Sequence, residues 1–257
     1  MEDRNFGFNA DVERMPSEHV RRLMCVILAD TSGSMSTDYY HNNIRGIDQL
    51  NEGLHRYIEA VENDDMAFQC VETSLITFNS EVHEVLTFEE IDDFKTKLPT
   101  LNASGATRMN EAILTALRRI QERKEFLGRE GINWWRPWIF LLTDGLATDN
   151  ELAGKAQDAI KDAVNGAHAV FFPLAIGNSR ETIQSLKNYV IEGAAVFSAT
   201  EDKIGAMFSF LGNSMCVTSN HDVGNGNDGV GGSARLASGI EAHTFDPVTG
   251  KMVTTQL

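Results

Sequence analysis

With 257 residues, 42% of them hydrophobic, the chain has the length of one α/β domain with appendages and enough apolar material for a substantial core. A formal net charge of -15 at pH 7 argues against binding phosphate backbones or anionic lipid, so neither nucleic acid nor membrane is an expected partner. Three scattered cysteines, Cys25, Cys70 and Cys216, lack the paired spacing of a zinc site or a disulfide framework and read as reduced, buried thiols.

The N-terminal arm, residues 1–19, is charged and polar, and no apolar run reaches the length of a membrane span. A cytoplasmic protein is the expectation. The first apolar run, Leu23 to Ala29, reads as a buried strand and stops at Asp30-Thr31-Ser32-Gly33-Ser34-Met35, where a carboxylate and hydroxyls emerge together. After a polar loop through Tyr39, Tyr40 and His41, apolar residues recur at three- and four-residue steps from Ile44 to Val61 and predict an amphipathic helix. Val71 to Phe78 reads as the next strand, and Val82 to Phe88 as its hairpin partner across Asn79-Ser80. Glu89, Glu90, Asp92 and Asp93 read as a solvated helix start.

A polar loop, Asn102 to Ala106, then leads into Thr107 and a helix marked by Met109, Ile113, Ala116, Leu117 and Ile120. Beyond it, Glu122 to Asn133 is charged and punctuated by glycine. Trp134-Trp135-Arg136-Pro137 precedes a second apolar strand, Trp138 to Leu142, which again stops at an aspartate, in Thr143-Asp144-Gly145. Of the three tryptophans, one or two are expected to cover the sheet as core, and a partner-binding patch is the alternative. Leu152 to Val164 is helix-compatible, with Thr148 or Asp149 as its cap. Ala169 to Ile176 reads as a strand near an edge because Pro173 cannot donate to a ladder. A short helix from Glu181, a strand around Ala194 to Phe197 and a helix carrying Ile204, Met207, Phe208, Leu211 and Met215 complete the alternation.

Strands alternating with helices predict a doubly wound, mostly parallel central sheet, Rossmann-like, with one antiparallel edge strand and helices on both faces. The domain is expected to span residues 20–218. Residues 219–257 begin with five glycines between Gly224 and Gly232 and read as a linker and tail, disordered in isolation, with a small hairpin or docking peptide about Asp246-Pro247-Val248-Thr249-Gly250 as the alternative.

In a doubly wound sheet the carboxyl ends of parallel strands share one edge, so Asp30 and Asp144 should converge. Two carboxylates with neutral oxygens from Ser32, Ser34 and Thr107 suit a hard divalent cation: Mg²⁺ first, with Mn²⁺ or Ca²⁺ as alternatives. Three neutral contributors would leave the ion residual positive charge, attractive to an incoming carboxylate. Taken alone, Asp30-Thr31-Ser32 could equally be a strand-end turn, and Thr107 a helix cap. Asp38, Asp149 and Asn150 could widen an acidic rim or simply be solvated or capping residues. His168, beside a buried strand, reads as structural.

Asp30-Thr31-Ser32-Gly33-Ser34-Met35, Thr107 after Gly105 and Thr143-Asp144-Gly145 resemble the three loops of the metal-ion-dependent adhesion site (MIDAS) of von Willebrand factor type A (VWA) domains, over about residues 20 to 216. Within that superfamily, Trp138 to Gly145 after a Trp-rich segment, Ser74 to Phe78 and the helix Met207 to Ser214 resemble the bacterial TerY-like group associated with tellurium resistance and stress response. The resemblance implies an intracellular, non-enzymatic adaptor that binds a protein partner offering Asp or Glu to the metal, often beside a kinase and a metal-dependent phosphatase. The longer loop Thr37 to Asn43 and the Gly-rich extension depart from that group. Two other functions stand beside this one. A regulatory subunit of a partner ATPase would use the same contacts. An aspartic-type hydrolase would pair Asp30 with Asp144 around one proton, but the helical periodicities oppose it.

Overall fold

The computed structural model describes residues 20–37, 45–177, 179–200, 203–204, 208–209, 240–245 and 252–256. Its centre is β1 (Leu23–Asp30), all eight residues of which are buried, as a strand covered on both faces requires. On one side β1 pairs in parallel with β2 (Val71–Phe78), on the other with β4 (Trp138–Thr143). Beyond β2 lies β3 (Val82–Glu90), antiparallel to it, which is the expected edge strand. Beyond β4 come β5 (Val170–Ile176) and β6 (Val196–Ala199), both parallel. The chain leaves β1 toward one edge to form β2 and crosses to the other for β4, so the order reverses at β1.

The alternation of β1 divides the core. Leu23, Cys25 and Ile27 face one layer with Leu50, Leu54, Tyr57 and Val61 of α1 (Gly46–Glu62), to which α3 (Ile91–Lys97) adds Phe94. Met24, Val26 and Leu28 face the other, with Ala112, Ile113 and Ala116 of α4 (Met109–Arg129), Ile160 of α5 (Ala153–Asn165) and Ile183 of α6 (Arg180–Leu186). Each of these fully buried aliphatic side chains contributes roughly 1.5–3 kcal/mol. Helix α1 ends at its C-cap Asn63, and a short α2 (Asp65–Cys70) follows, capped by the Asp64 carboxylate accepting from Met66 N and Ala67 N.

Five differences from the sequence expectations have physical causes. The sheet has antiparallel strands at both edges, because β7 (Ile240–Phe245) pairs with β6 and β8 (Met252–Gln256) pairs with β7. The last piece of the chain is therefore a hairpin on the sheet and not a disordered tail; β6 would otherwise present an open row of backbone donors and acceptors. The Gly-rich stretch, the Asp246–Gly250 turn, the Thr37–Asn43 loop beyond Thr37 and most of the last helix lie outside the described residues; within it, Ile204 and Phe208 are buried. β5 is internal, not near an edge: β6 pairs only with Leu174 to Ile176, so Pro173 sits before that ladder begins. Helix α4 runs on through the charged segment to Arg129. A helix start does follow, with Glu90 as the N-cap of α3 and Asp92 and Asp93 in its first turn, but Glu89 and Glu90 also end β3 and are ion-paired instead of solvated, Glu89 with Lys97 and Glu90 with Arg22. Trp135 and Trp138 are core, while Trp134 is half-buried.

What tolerates charge in that extended α4 is a buried ion network at the amino ends of the strands. Arg123 donates from Nε and Nη2 to the two Glu72 carboxylate oxygens at 2.9 and 2.7 Å. Arg22 lies 3.6 Å from the same carboxylate, donates to the Gln69 carbonyl at 2.7 Å and approaches Glu90 at 3.1 Å. The side chains of Arg22 and Glu72 are fully buried. Removing Glu72 takes the bidentate carboxylate from the buried Arg123 and leaves Arg22 with Glu90 and the Gln69 carbonyl, so Glu72→Ala is expected to lower unfolding free energy by about 3–5 kcal/mol, read by urea denaturation. A loss under about 1 kcal/mol would mean that water reaches the arginines.

Candidate metal centre

The register of β1 with β4 sets Ala29 opposite Leu142, so the next residues along, Asp30 and Thr143, meet across the strand ends. Thr143 Oγ1 donates to Asp30 Oδ2 at 2.5 Å, and Asp30 Oδ1 accepts Ser32 N–H at 2.8 Å. The strand-end turn anticipated for Asp30 is therefore present, and it aims the chain so that Ser32 Oγ lies 3.0 Å from Ser34 Oγ. Ser34 Oγ in turn donates to Asp144 Oδ1 at 2.5 Å. Ser32, Ser34 and Asp144 thus form one connected line of oxygen atoms, and Asp30 is tied to it through the Ser32 amide.

Thr107 joins them through Gly145. A Cβ placed on Gly145 would stand 3.8 Å from both Ser34 Oγ and Thr107 Oγ1, so the two hydroxyls flank one point. Capping does not occupy the Thr107 side chain. The first turn of α4 is capped from another loop: Asp149 accepts from Asn110 N and Nδ2 at 3.3 and 3.0 Å through Oδ1, and from Glu111 N at 2.8 Å through Oδ2. Among the described residues the Thr107 hydroxyl makes no hydrogen bond, while its backbone is fixed by Thr148 on both sides, at 3.1 and 2.8 Å. Asp149 is therefore a cap for α4, neither an acidic rim residue nor the cap of α5. Asn150 is exposed, and Asp38 lies outside the described residues.

Two glycines let the loops approach. Gly33 N donates to the Gly105 carbonyl at 3.0 Å, and Gly33 is valuable for its missing Cβ, which would meet that oxygen at 3.4 Å. Gly105 has φ +80°, and a Cβ there would fall 2.5 Å from Ser80 Oγ, so both its conformation and its space require glycine. Sequence reading passed over three supports: Thr143, Ser80, and Thr182, whose hydroxyl donates to the Asp144 carbonyl at 3.1 Å. A threonine closing an otherwise apolar buried strand was the available signal for the first.

Burial dominates the electrostatics. Asp30 is fully buried, and desolvation pushes its carboxyl up to about 6 despite hydrogen bonds from Ser32 and Thr143 that pull the other way, with the Asp144 charge adding to the rise. Asp144 is raised too, by burial first, against the Ser34 hydrogen bond. Two carboxylates held in a partly dry pocket among hydroxyls are a donor set for a hard cation, which would relieve the desolvation that burial imposes. Among the described residues there is no cluster of three or more His, Cys, Asp or Glu side chains, so the centre depends on its hydroxyls.

An open α/β sheet whose polar groups gather at the carboxyl ends of strands flanking a switch in strand order belongs to the class that binds ligands in that crevice. Residues 25–146 match the model of the von Willebrand factor type A domain family. Inter-alpha-trypsin inhibitor heavy chain H4 of Sus scrofa is 27% identical over 153 residues, covering 57% of this chain and 15% of that protein. Solved structures agree in fold. The vWF domain of the type V pili tip protein Mfa5 from Porphyromonas gingivalis gives a TM-score of 0.60 at 12% identity, over 82% of this chain and 99% of that one. The PilB minor pilin from Streptococcus sanguinis gives 0.53 at 14% identity, over 79% and 63%. Proximal thread matrix protein 1 from the mussel byssus, in a structure with a zinc-occupied MIDAS motif, gives 0.53 at 14% identity, over 77% and 47%. Among the described residues no helix is long and apolar enough to cross a membrane.

The raised Asp30 fixes the sign of a pH effect. Its folded-state value of about 6 lies above the ordinary carboxylate value of 3.8, so the native state holds this proton more tightly than the unfolded chain does. Its contribution to stability is then largest below the ordinary value and declines as pH rises through about 4 to 6. With a chelator present, Asp30→Asn should gain in melting temperature relative to wild type on going from pH 4.5 to pH 7. Parallel pH curves for the two proteins in scanning calorimetry would show instead that Asp30 titrates ordinarily.

Proposed function

We propose that the domain is a metal-dependent protein-binding adaptor: a divalent cation held by Ser32, Ser34, Thr107, Asp30 and Asp144 captures an Asp or Glu side chain from a protein partner. The observation that carries this reading is the connected line Ser32–Ser34–Asp144, with Thr107 Oγ1 beside it and the buried Asp30 behind it. Every donor is a hard oxygen, which fits Mg²⁺ first and Mn²⁺ or Ca²⁺ next. The zinc-occupied motif of the mussel protein supports a divalent ion in this fold.

The division of roles follows from the hydrogen bonds. Asp30 has Ser32 N–H and Thr143 O–H on its two oxygens, so it orients the loop and supplies charge from behind. Asp144 has one oxygen on Ser34 and its carbonyl on Thr182, which holds its carboxylate toward the hydroxyls. When bound, the cation supplies a positive centre only partly neutralised by this set, and a partner carboxylate completes its coordination.

Three features support a non-enzymatic role. The fold is α/β, not the mostly β architecture of aspartic hydrolases. The two carboxylates engage separate hydroxyls, with Thr143 on Asp30 and Ser34 on Asp144, where a shared-proton pair would face each other. The hydroxyls at the centre face carboxylates, and no histidine or lysine hydrogen-bonds to them among the described residues. Within this reading, a cytoplasmic TerY-like adaptor in bacterial stress response, Mg²⁺-loaded and working beside a kinase or a metal-dependent phosphatase, is the specific form that the segments Ser74 to Phe78, Trp138 to Gly145 and Met207 to Ser214 favour.

Titration calorimetry with Mg²⁺ and with Mn²⁺ tests the metal. Wild type should bind at least one with a single-site isotherm, Asp144→Ala and Ser34→Ala should weaken it by about tenfold or more, and Asp30→Ala should do the same. Unchanged heats in the aspartate variants would sink the assignment. Saturation at about 100 times Kd should also raise unfolding free energy by about 2.7 kcal/mol. For the partner, recovery of a bound protein from lysate in Mg²⁺, its release by chelator, and failure of Asp144→Ala to recover it are the expected results. A partner retained equally with chelator is not bridged by metal.

A further inference from the structure

The opposite edge of the sheet carries a separate cavity. It measures about 380 Å³ and opens where the last turns of α4, the Trp134–Pro137 segment before β4 and the exit from α5 meet. Gln121, Lys124, Glu125, Trp134, Arg136 and His168 line it. Since β4 runs from this edge to Asp144, the two sites stand roughly 20 Å apart, one strand length.

Its charge runs against that of the molecule. In a chain of net charge -15, the cavity gathers a guanidinium, an ammonium and an imidazole around one carboxylate, and that carboxylate, Glu125, already accepts from Gln121 Nε2 at 2.7 Å. Arg136 makes no ion pair among the described residues, and its Nε is buried without a hydrogen-bond partner. The buried Nε is out of reach of the cavity, but the charge of a guanidinium that lines it with no carboxylate partner among the described residues is left for an anion to answer. Lys124 spends one of its three N–H donors on the His168 carbonyl at 2.8 Å and has no carboxylate within ion-pair distance among the described residues. Desolvation alone lowers its ammonium.

The backbone beneath His168 is arranged for the imidazole. Helix α5 ends with His168 N donating to Ala163 O at 2.8 Å and Ala167 N to Val164 O at 3.1 Å, an arrangement that puts the intervening residue in the left-handed region. That residue is Ala167, at φ 56°, a strain of roughly 1–2 kcal/mol that glycine would avoid. The glycine is one position earlier, at Gly166, where a Cβ would lie 2.7 Å from the His168 ring. The sequence thus gives up backbone comfort at Ala167 and keeps the space in which the imidazole sits at the mouth of the cavity.

We propose that this cavity binds a phosphate group, free or carried on a small organic monoester, on Arg136, Lys124 and His168. A planar guanidinium fork beside an ammonium matches a phosphate dianion in charge and geometry better than it matches a single carboxylate. The volume is at the small end of ligand sites, about 300–1,000 Å³, and suits a molecule of mononucleotide size or less. The assignment does not depend on the metal centre, because none of the residues is shared.

Calorimetric titration of the full chain with inorganic phosphate and, separately, with adenosine 5′-monophosphate tests it, in EDTA so that no cation at the other edge can hold phosphate. At least one probe should bind saturably with Kd below about 1 mM, and Arg136→Gln and Lys124→Gln should each weaken it by about tenfold or more, whereas Asp144→Ala should leave it unchanged. Monophosphate binding much tighter than phosphate identifies an organic ester as the ligand, and equal binding identifies phosphate itself. Should Arg136→Gln fail to fold by circular dichroism, the half-buried Lys124→Gln decides. The proposal is overturned by the absence of saturable heat with either probe up to about 10 mM, or by wild-type affinity in the folded variants.

Discussion

Parallel pairing of β1 with β4, in the register that puts Ala29 opposite Leu142, is what the candidate metal centre depends on. That register makes Asp30 and Thr143 neighbours, and their hydrogen bond closes the carboxyl end of the sheet. A slip of one residue would send Asp30 to the opposite face of the strand and turn the apolar alternation of β1 inside out. Because Leu23, Cys25 and Ile27 pack against α1 while Met24, Val26 and Leu28 pack against α4, such a slip would cost both cores. Packing therefore fixes the position of a polar site that contributes little packing itself. Between the elements, Gly33 and Gly105 let the first two loops touch backbone to backbone, and Gly145 lets Ser34 and Thr107 face across the third.

The two edges of the sheet handle buried charge in opposite ways. At the amino ends of the strands, Glu72 is matched by Arg22 and Arg123 with close geometry, so its charge is compensated inside the protein. At the carboxyl ends, Asp30 and Asp144 have hydroxyls and amides for partners and, among the described residues, no side-chain cation, and burial lifts both. Hydrogen bonds orient a carboxylate but do not neutralise it. The first arrangement is complete within the fold, whereas the second leaves a carboxylate pair without a compensating side-chain cation among the described residues, and the proposed cation rests on that contrast.

How legible this was from the sequence varied with the physics of each element. β1, β2 and β4 read correctly because a strand buried on both faces is a continuous apolar run, and the aspartates at the ends of β1 and β4 marked the shared edge. All five candidate ligands came together for that reason. What escaped were charges neutralised at a distance along the chain. Glu122 to Asn133 read as a charged, Gly-punctuated segment beyond the helix, but Glu84 and Glu72 from the sheet pair with Arg119 and Arg123, and α4 extends to Arg129. Glu89 and Glu90 misled in the same way, since Lys97 and Arg22 that hold them are not periodic neighbours. Asp149 looked like a local cap or an acidic rim because nothing local reveals that it caps a helix 38 positions earlier. The last hairpin was ambiguous because its partner, β6, is itself only four residues long.

The preference for hydroxyls over further carboxylates at the candidate metal centre follows from the same accounting of charge. Asp30 already sits at about 6 with a single neighbouring carboxylate, and a third would raise every member of the cluster, favouring protonated over charged forms near neutral pH. A hydroxyl avoids this because it has both roles: Ser34 donates its proton to Asp144 and keeps lone pairs for another partner. The line from Ser32 through Ser34 to Asp144 is thereby held in place by its own hydrogen bonds, so its geometry does not have to be assembled when a cation arrives. Neutral donors also leave more of the ion's charge unspent. Under the proposed function, a site built of two carboxylates and three hydroxyls would thus be pre-organised toward a cation and, once filled, still attractive to a third carboxylate from another molecule.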